Sequence, residues 1–305
     1  MATFRIGYKT RVPLTLLIVL FTCAFAIEAQ DPANQDLSGQ WRFSLDPSNQ
    51  GISNNWFNQS LGDKIALPGI LQSQGFGDEI STKTPWVLSL YDHFWSERAD
   101  YADYTKPGNV KVPFLSQPPR HYIGAAWYQR DVDISENWTG KRVVLFLERP
   151  HWESTVWLDD KRIGSARSLV APHEFDLGMV PAGKHRLSIR VDNSMILPYR
   201  PDAHSVSDSL GMSWNGIVGK IELRGTSPVW IDDAQVYATK ESIPVIAKIK
   251  IGNSTGKAGS GTLTANGENF NVSWTASGGE AELKVPFPIA KGSEQWSEFH
   301  PVLQN

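Results

Sequence analysis

A period of two in the hydrophobic pattern constrains this chain more than any other feature. "KHRLSIRVD" (184–192) alternates strictly, with Leu187, Ile189 and Val191 on one side and Arg186, Ser188 and Arg190 on the other. Successive side chains of an extended strand point to opposite faces, so the pattern predicts a half-buried strand. "GKRVVLFLE" (140–148) is apolar on both sides, which predicts a central strand covered on both faces. "AAWYQRDVDI" (125–134), "STVWLDD" (154–160), "GKIELRG" (219–225) and "VWIDDAQVYA" (229–238) read in the same way. "ENWTGK" (136–141) and "PAGK" (181–184) punctuate them as connectors. No amphipathic helix of ordinary length interrupts the series beyond residue 35. The expectation is an all-β chain of antiparallel sandwiches.

Two places break the rhythm. Residues 85–121 are too long for an ordinary connection and hold Trp86, Tyr91, Phe94, Trp95, Tyr101 and Tyr104 before two Pro-rich clusters. Such a segment either carries function or packs on its own aromatics. Near Gly225–Pro228 the texture changes. The sequence that follows is poorer in aromatics and richer in Gly, Ser and Thr. About seven short strands in some seventy residues would suit a small immunoglobulin-like sandwich.

The opening residues stand apart from the fold. Arg5, Lys9 and Arg11 precede the apolar run "PLTLLIVLFTCAFA", and small residues follow near 24–29. This is the pattern of a secretory signal peptide, too short for a confident membrane span. "LFTC" is a poor lipoprotein signal, because Phe21 and Thr22 are bulky for it. The single cysteine, Cys23, lies inside this run, so the mature protein folds without disulfides. The expectation is an exported protein, periplasmic or extracellular, with no membrane span after cleavage. A net charge of -3 and the lack of a Lys/Arg block argue against nucleic acid as a partner. No Cys/His zinc spacing occurs, and no metal or other cofactor is expected. Most of the twelve tryptophans read as core anchors; the alternative is stacking against the C–H face of a pyranose.

"DLSGQWRFSLDP" (36–47), "LPGILQSQGFGD" (67–78), "IGAAWYQRDVDI" (123–134), "TVWLDDKRIGS" (155–165), "GKHRLSIRVDN" (183–193) and "SWNGIVGKIEL" (213–223) occur in order. Together they resemble the amino-terminal part of glycoside hydrolase family 2, the β-galactosidase, β-glucuronidase and β-mannosidase group. The resemblance runs from Asp36 to the end of the chain. After the signal peptide read above at 1–29, it implies a jelly-roll, galactose-binding-like sandwich at 30–226. An immunoglobulin-like sandwich would follow at 227–293, then at 294–305 the start of a linker to a catalytic barrel. "WSEFHPVL" (296–303) is similar to the segment leading towards that barrel, which makes Trp296 and Phe299 candidate barrel contacts. One departure stands out: Asp159-Asp160 replaces the family's Asn-Gly hairpin, so a longer or different turn is expected there.

The resemblance implies retaining glycoside hydrolysis, which needs two carboxyl groups about 5–5.5 Å apart. The family's Asn-Glu pair is missing from this sequence, as is a βαβα alternation that could build a barrel. Glu148/Glu153 and Asp159/Asp160 are close in sequence but read as solvated carboxylates at strand ends, and no catalytic residue is assigned. Binding is the open question. The resemblance implies that "YRPDAHSVSDSLGMSWNGI" (199–217) closes one side of a sugar pocket, with His204, Asp208, Trp214 and Asn215 as candidates. "ERPHWEST" (148–155) adds Arg149, His151 and Trp152 at a strand corner. The expected ligand is a carbohydrate, a β-linked glycoside, and the expected partner is a missing or separately encoded catalytic barrel. Two alternatives remain open: a stand-alone secreted carbohydrate-binding module, and an adhesion module with no sugar role.

Overall fold

The computed structural model describes residues 33–86, 95–112, 116–195, 207–208, 213–237, 245–286 and 297–302. The first region forms two antiparallel sheets. One runs β1 (Asn34–Asp36), β11 (Gly216–Thr226), β6 (Arg142–Pro150), β9 (His173–Gly178), with the short β4 (Gly69–Ile70) also paired to β11. The other runs β3 (Asp63–Leu67), β2 (Gly39–Asp46), β5 (Ala125–Ile134), β10 (Gly183–Asp192), β7 (Glu153–Leu158), β8 (Lys161–Arg167). Their inner faces share a single core. Leu145, Leu147, Ile221 and Leu223 come from one sheet, and Phe43, Tyr128, Val156, Leu187, Ile189 and Val191 from the other. Strict alternation in β10 delivers this: the odd apolar residues reach the core while Ser188 and Arg190 turn outward.

β5 is covered on both faces over its first half, Ala125–Gln129. Tyr128 points into the core, while Trp127 points out and is covered by the loop after β2, against which its ring meets Trp56 at 6.2 Å. Asp46 anchors that loop by accepting hydrogen bonds from Gln50 N, Gly51 N and Trp127 Nε1. Trp41, Trp86, Trp95, Trp127, Trp138, Trp152 and Trp157 are all buried, as core anchors should be.

The β7–β8 hairpin keeps a two-residue turn despite its Asp-Asp sequence, with Leu158 paired to Lys161. Only Asp159 is left-handed, at φ 55. Its carboxylate accepts from Arg186 N and binds His185 Nδ1, each at 2.8 Å. These contacts to β10 offset the cost of left-handed backbone at a non-glycine residue. The aromatic insertion builds a small core of its own from Trp86, Trp95, Val110 and Val112, with Ile80 and Tyr101 packed against it; Tyr91 and Phe94 lie outside the described residues.

From Val229 onwards a separate pair of sheets appears. β12 (Val229–Tyr237), β13 (Val245–Asn253) and β16 (Gly279–Val285) form one, and β14 (Gly259–Ala265) and β15 (Glu268–Trp274) the other. Ala247, Ile249, Ile251, Val272, Leu283 and Val285 make its core. The described residues contain five strands here, where the sequence suggests about seven. β12 also differs from expectation. It is exposed along most of its length, including Ile231, Val236 and Tyr237, because it is an edge strand paired only to β13. The Arg142 guanidinium of β6 lies 3.7 Å over the Trp230 ring and links the two parts.

Candidate functional site

A cavity of about 480 Å³ opens at one end of the first sandwich. Asp78, His121, Tyr122, Asn193, Asp208 and Ser213 supply its polar wall, and Pro47, Pro85, Ile123 and Met195 its apolar one. A few convergent polar groups among apolar ones, at this volume, are the ordinary features of a small-molecule site.

Local structure explains how these groups converge. Asp78 and His121 are held together by a two-way backbone bridge, with nitrogen–oxygen distances of 2.8 and 3.0 Å. Gly77 permits it: the backbone there has φ +107, and an added Cβ would stand 2.7 Å from the His121 carbonyl oxygen. Asn193 follows the end of β10. It accepts from Gly124 N at 2.9 Å and donates to Tyr122 O at 2.9 Å and to Ser213 Oγ at 3.3 Å. Asn193 therefore ties three segments of the cavity wall together. Tyr122 donates its hydroxyl to the Ala125 carbonyl and accepts from Asp46 N. Burial pushes its pKa up, so the phenol stays neutral.

Asp208 is 3% exposed, and its carboxylate lies 3.7 Å from His121 Nε2. An imidazole facing a carboxylate in a partly apolar recess can bind hydroxyl groups, taking hydrogen bonds at the acid and giving them from the ring. Ser207, Asp208 and Ser213 are the described parts of the 199–217 segment that reach this cavity; His204 lies outside the described residues.

The other expected site residues are placed differently. Trp214 stacks on His151, with ring centroids 4.4 Å apart and planes 22° apart, and its carbonyl meets His151 Nδ1 at 2.6 Å. The two candidate loops therefore meet through this pair, neither member of which lines the cavity, although Trp214 directly follows the lining Ser213. Burial holds the His151 pKa below its usual value, opposed by the Trp214 carbonyl. Arg149 is exposed and pairs with its neighbour Glu148 at 3.2 Å.

Asn215 and Trp152 need correcting as sugar contacts. Asn215 is fully buried; it accepts from Tyr128 Oη and donates to the carbonyls of Gly124 and Val191. Both amide protons are spent inside the fold, so it fastens this segment to the sandwich instead of facing a hydroxyl. Trp152 has no exposed surface and cannot offer a ring face to a pyranose. Of the barrel-contact candidates, Trp296 lies outside the described residues and Phe299 is 91% exposed.

Sequence reasoning missed Asp78, His121, Tyr122 and Asn193. "RHYIG", immediately before β5, and the closing Asn of "GKHRLSIRVDN" were the available signals. The carboxylates near the strand corners have structural partners: Glu148 accepts from Lys220 N, Glu153 pairs with Arg167 and Arg190, and Asp159 is tied to β10.

Residues 93–226 match the model of the glycosyl hydrolases family 2 sugar binding domain. Among curated relatives, the beta-glucuronidase of Sus scrofa is 27% identical over 131 residues, covering 33% of this chain and 20% of that protein. The beta-glucuronidase of Paenibacillus borealis is 27% identical over 161 residues, covering 52% of this chain and 21% of that protein. The matched chain thus spans about a fifth of these relatives' length. A solved Ruminococcus gnavus β-glucuronidase in complex with uronic isofagomine is 16% identical with a TM-score of 0.48, over 88% of this chain and 40% of that one. At residues 93–226 the chain carries the amino-terminal sugar binding domain of glycosyl hydrolases family 2.

Proposed function

We propose that this chain is the non-catalytic amino-terminal part of a family 2 glycoside hydrolase acting on β-linked glycosides. It contributes one wall of the sugar site and support for a catalytic barrel. The observation that carries this reading is the cavity at the end of the matched domain, where Asp208 faces His121 beside Asn193 and Ser213. Glucuronides are the substrate class to try first, because the curated relatives described above are named beta-glucuronidases. The exposed Phe299 supports a contact between the tail and the barrel, since a bare aromatic ring is better buried at a junction. In this reading residues 1–29 are a cleaved signal peptide, the protein is exported, and 30–226 and 227–293 act as separate sandwiches.

A second reading, a stand-alone carbohydrate-binding module, draws on the same cavity being formed within this chain alone. Titration calorimetry separates the two. The purified chain is titrated with phenyl β-glucuronide, β-galactoside and β-mannoside, and again with the Asp208→Asn variant. The favoured reading expects weak or no binding, because one wall leaves most of the sugar in water. Tight binding that Asp208→Asn abolishes would establish the stand-alone module instead.

A further inference from the structure

The six-stranded sheet has a second face, turned away from the core. Cross-strand register builds polar rows on it. Arg190 of β10 stands opposite Thr155 of β7, and Thr155 opposite Ser165 of β8. In the next row Asp192 stands opposite Glu153, and Glu153 opposite Arg167. Val156, Leu187, Ile189 and Val191, the residues of opposite parity, fill the core, so these rows face outward together. The loop after β2 covers Trp127 and Trp157 but leaves this end of the sheet open, as a groove of about 630 Å³.

The groove is cationic and only partly neutralised. Arg162, Arg167 and Arg190 line it, against one lining carboxylate, Glu153. Arg167 and Arg190 share that carboxylate, the second at a long 3.5 Å. Arg190 is built in: its side chain is 5% exposed, and Nη2 donates to Asn49 and Asp192. Its buried Nε has no hydrogen-bond partner among the described residues. Arg162 donates to Ser165 Oγ at 2.7 Å and has no carboxylate within ion-pair distance among the described residues. With Asp192 also ion-paired to Arg190, three guanidiniums meet two carboxylates, which leaves the charge of Arg162 uncompensated; planar guanidinium forks match carboxylates well. Thr155 and Ser165 hydroxyls sit between the arginines, and Ile52, 46% exposed, offers an apolar edge.

We propose that this outer groove binds an acidic oligosaccharide, a chain carrying uronate carboxylates. Arg162 and Arg167 take the carboxylates, Thr155, Ser165 and Asn49 take hydroxyls, and Ile52 packs on a sugar C–H face. The groove shares no lining residue with the Asp208 cavity and would hold its ligand independently of that site.

The test is calorimetry on the full chain with tetragalacturonate, neutral cellotetraose and sodium sulfate. Tetragalacturonate should bind, more weakly as salt is raised, and cellotetraose should not. R162A/R167A should weaken tetragalacturonate by about tenfold or more, as expected for loss of charge-assisted hydrogen bonds. Circular dichroism of that variant should match the parent, since both side chains are exposed. If the double variant unfolds, R162A alone decides, because Arg162 holds no carboxylate in the fold. Absence of tetragalacturonate binding, equal binding of cellotetraose, or indifference to the arginine variant would overturn the proposal. Displacement by an equal concentration of sulfate would also overturn it, by reducing the groove to a simple anion site.

Discussion

Asn215 and Arg149 were equal candidates in the sequence, and the fold gives them opposite roles. Asn215 satisfies Tyr128 and two strand-end carbonyls from a fully buried position. Asn215→Ala should cost about 2–4 kcal/mol in denaturant unfolding, because it leaves several buried groups without partners. Arg149→Ala should change stability by under ~0.5 kcal/mol, since its ion pair with Glu148 is exposed. Comparable losses for the two variants would contradict this placement.

Histidine burial gives a second residue-scale prediction. Burial lowers the pKa of both His151 and His173, the latter opposed by the Ser168 backbone. The unfolded chain then takes up protons first as pH falls through about 6.5. Stability from these two residues is complete above that value and is lost below it. His185 runs the other way: burial lowers its pKa, but Asp159 and the Pro181 carbonyl outweigh that and raise it. Its contribution is complete below about 6.5 and fades as pH rises through its higher folded value. Denaturant midpoints should therefore fall between about pH 7 and pH 5, less steeply in His173→Gln. A midpoint that rises with acidification would rule out this balance.

At the scale of elements, the β7–β8 turn offers a comparison of two substitutions. Asp159→Ala keeps left-handed backbone at a residue with a Cβ and loses the bonds to His185 and Arg186. Asp159→Gly loses the same bonds but removes the backbone cost. Thermal unfolding should show alanine less stable than glycine by about 1 kcal/mol. The reverse order would mean that the turn relaxes out of the left-handed region.

Strands were legible where one face was clearly apolar. "AAWYQRDVDI" is β5 from its first residue to its last, and "KHRLSIRVD" is β10 but for one added glycine. β12 alternates just as well in sequence yet lies exposed at a sheet edge, because period two reports strand geometry and not what covers it. The cavity was less legible for a related reason. His121 and Asp78 sit in irregular segments and meet through a bridge 43 residues apart in the chain, a separation that no local pattern encodes. Asp208 of the 199–217 segment lines the cavity, whereas Asn215, seven positions on, is consumed by the core, a difference that local sequence does not encode.

The whole molecule combines a matched sugar binding domain, a cavity at the end of the first sandwich and strand-corner carboxylates Glu148, Glu153 and Asp159 that are committed to structural partners. The chain by itself should therefore not hydrolyse aryl β-glucuronide, β-galactoside or β-mannoside. The most direct test is the rate of phenyl β-glucuronide hydrolysis by this chain alone and after addition of a family 2 catalytic barrel domain. The account predicts no turnover by the chain alone, turnover by the pair, and a kcat/KM about 10–100-fold lower when the pair carries Asp208→Asn, the size of one lost charged hydrogen bond. Turnover by the chain alone that vanishes with a carboxylate substitution, or a pair indifferent to Asp208→Asn, would contradict it.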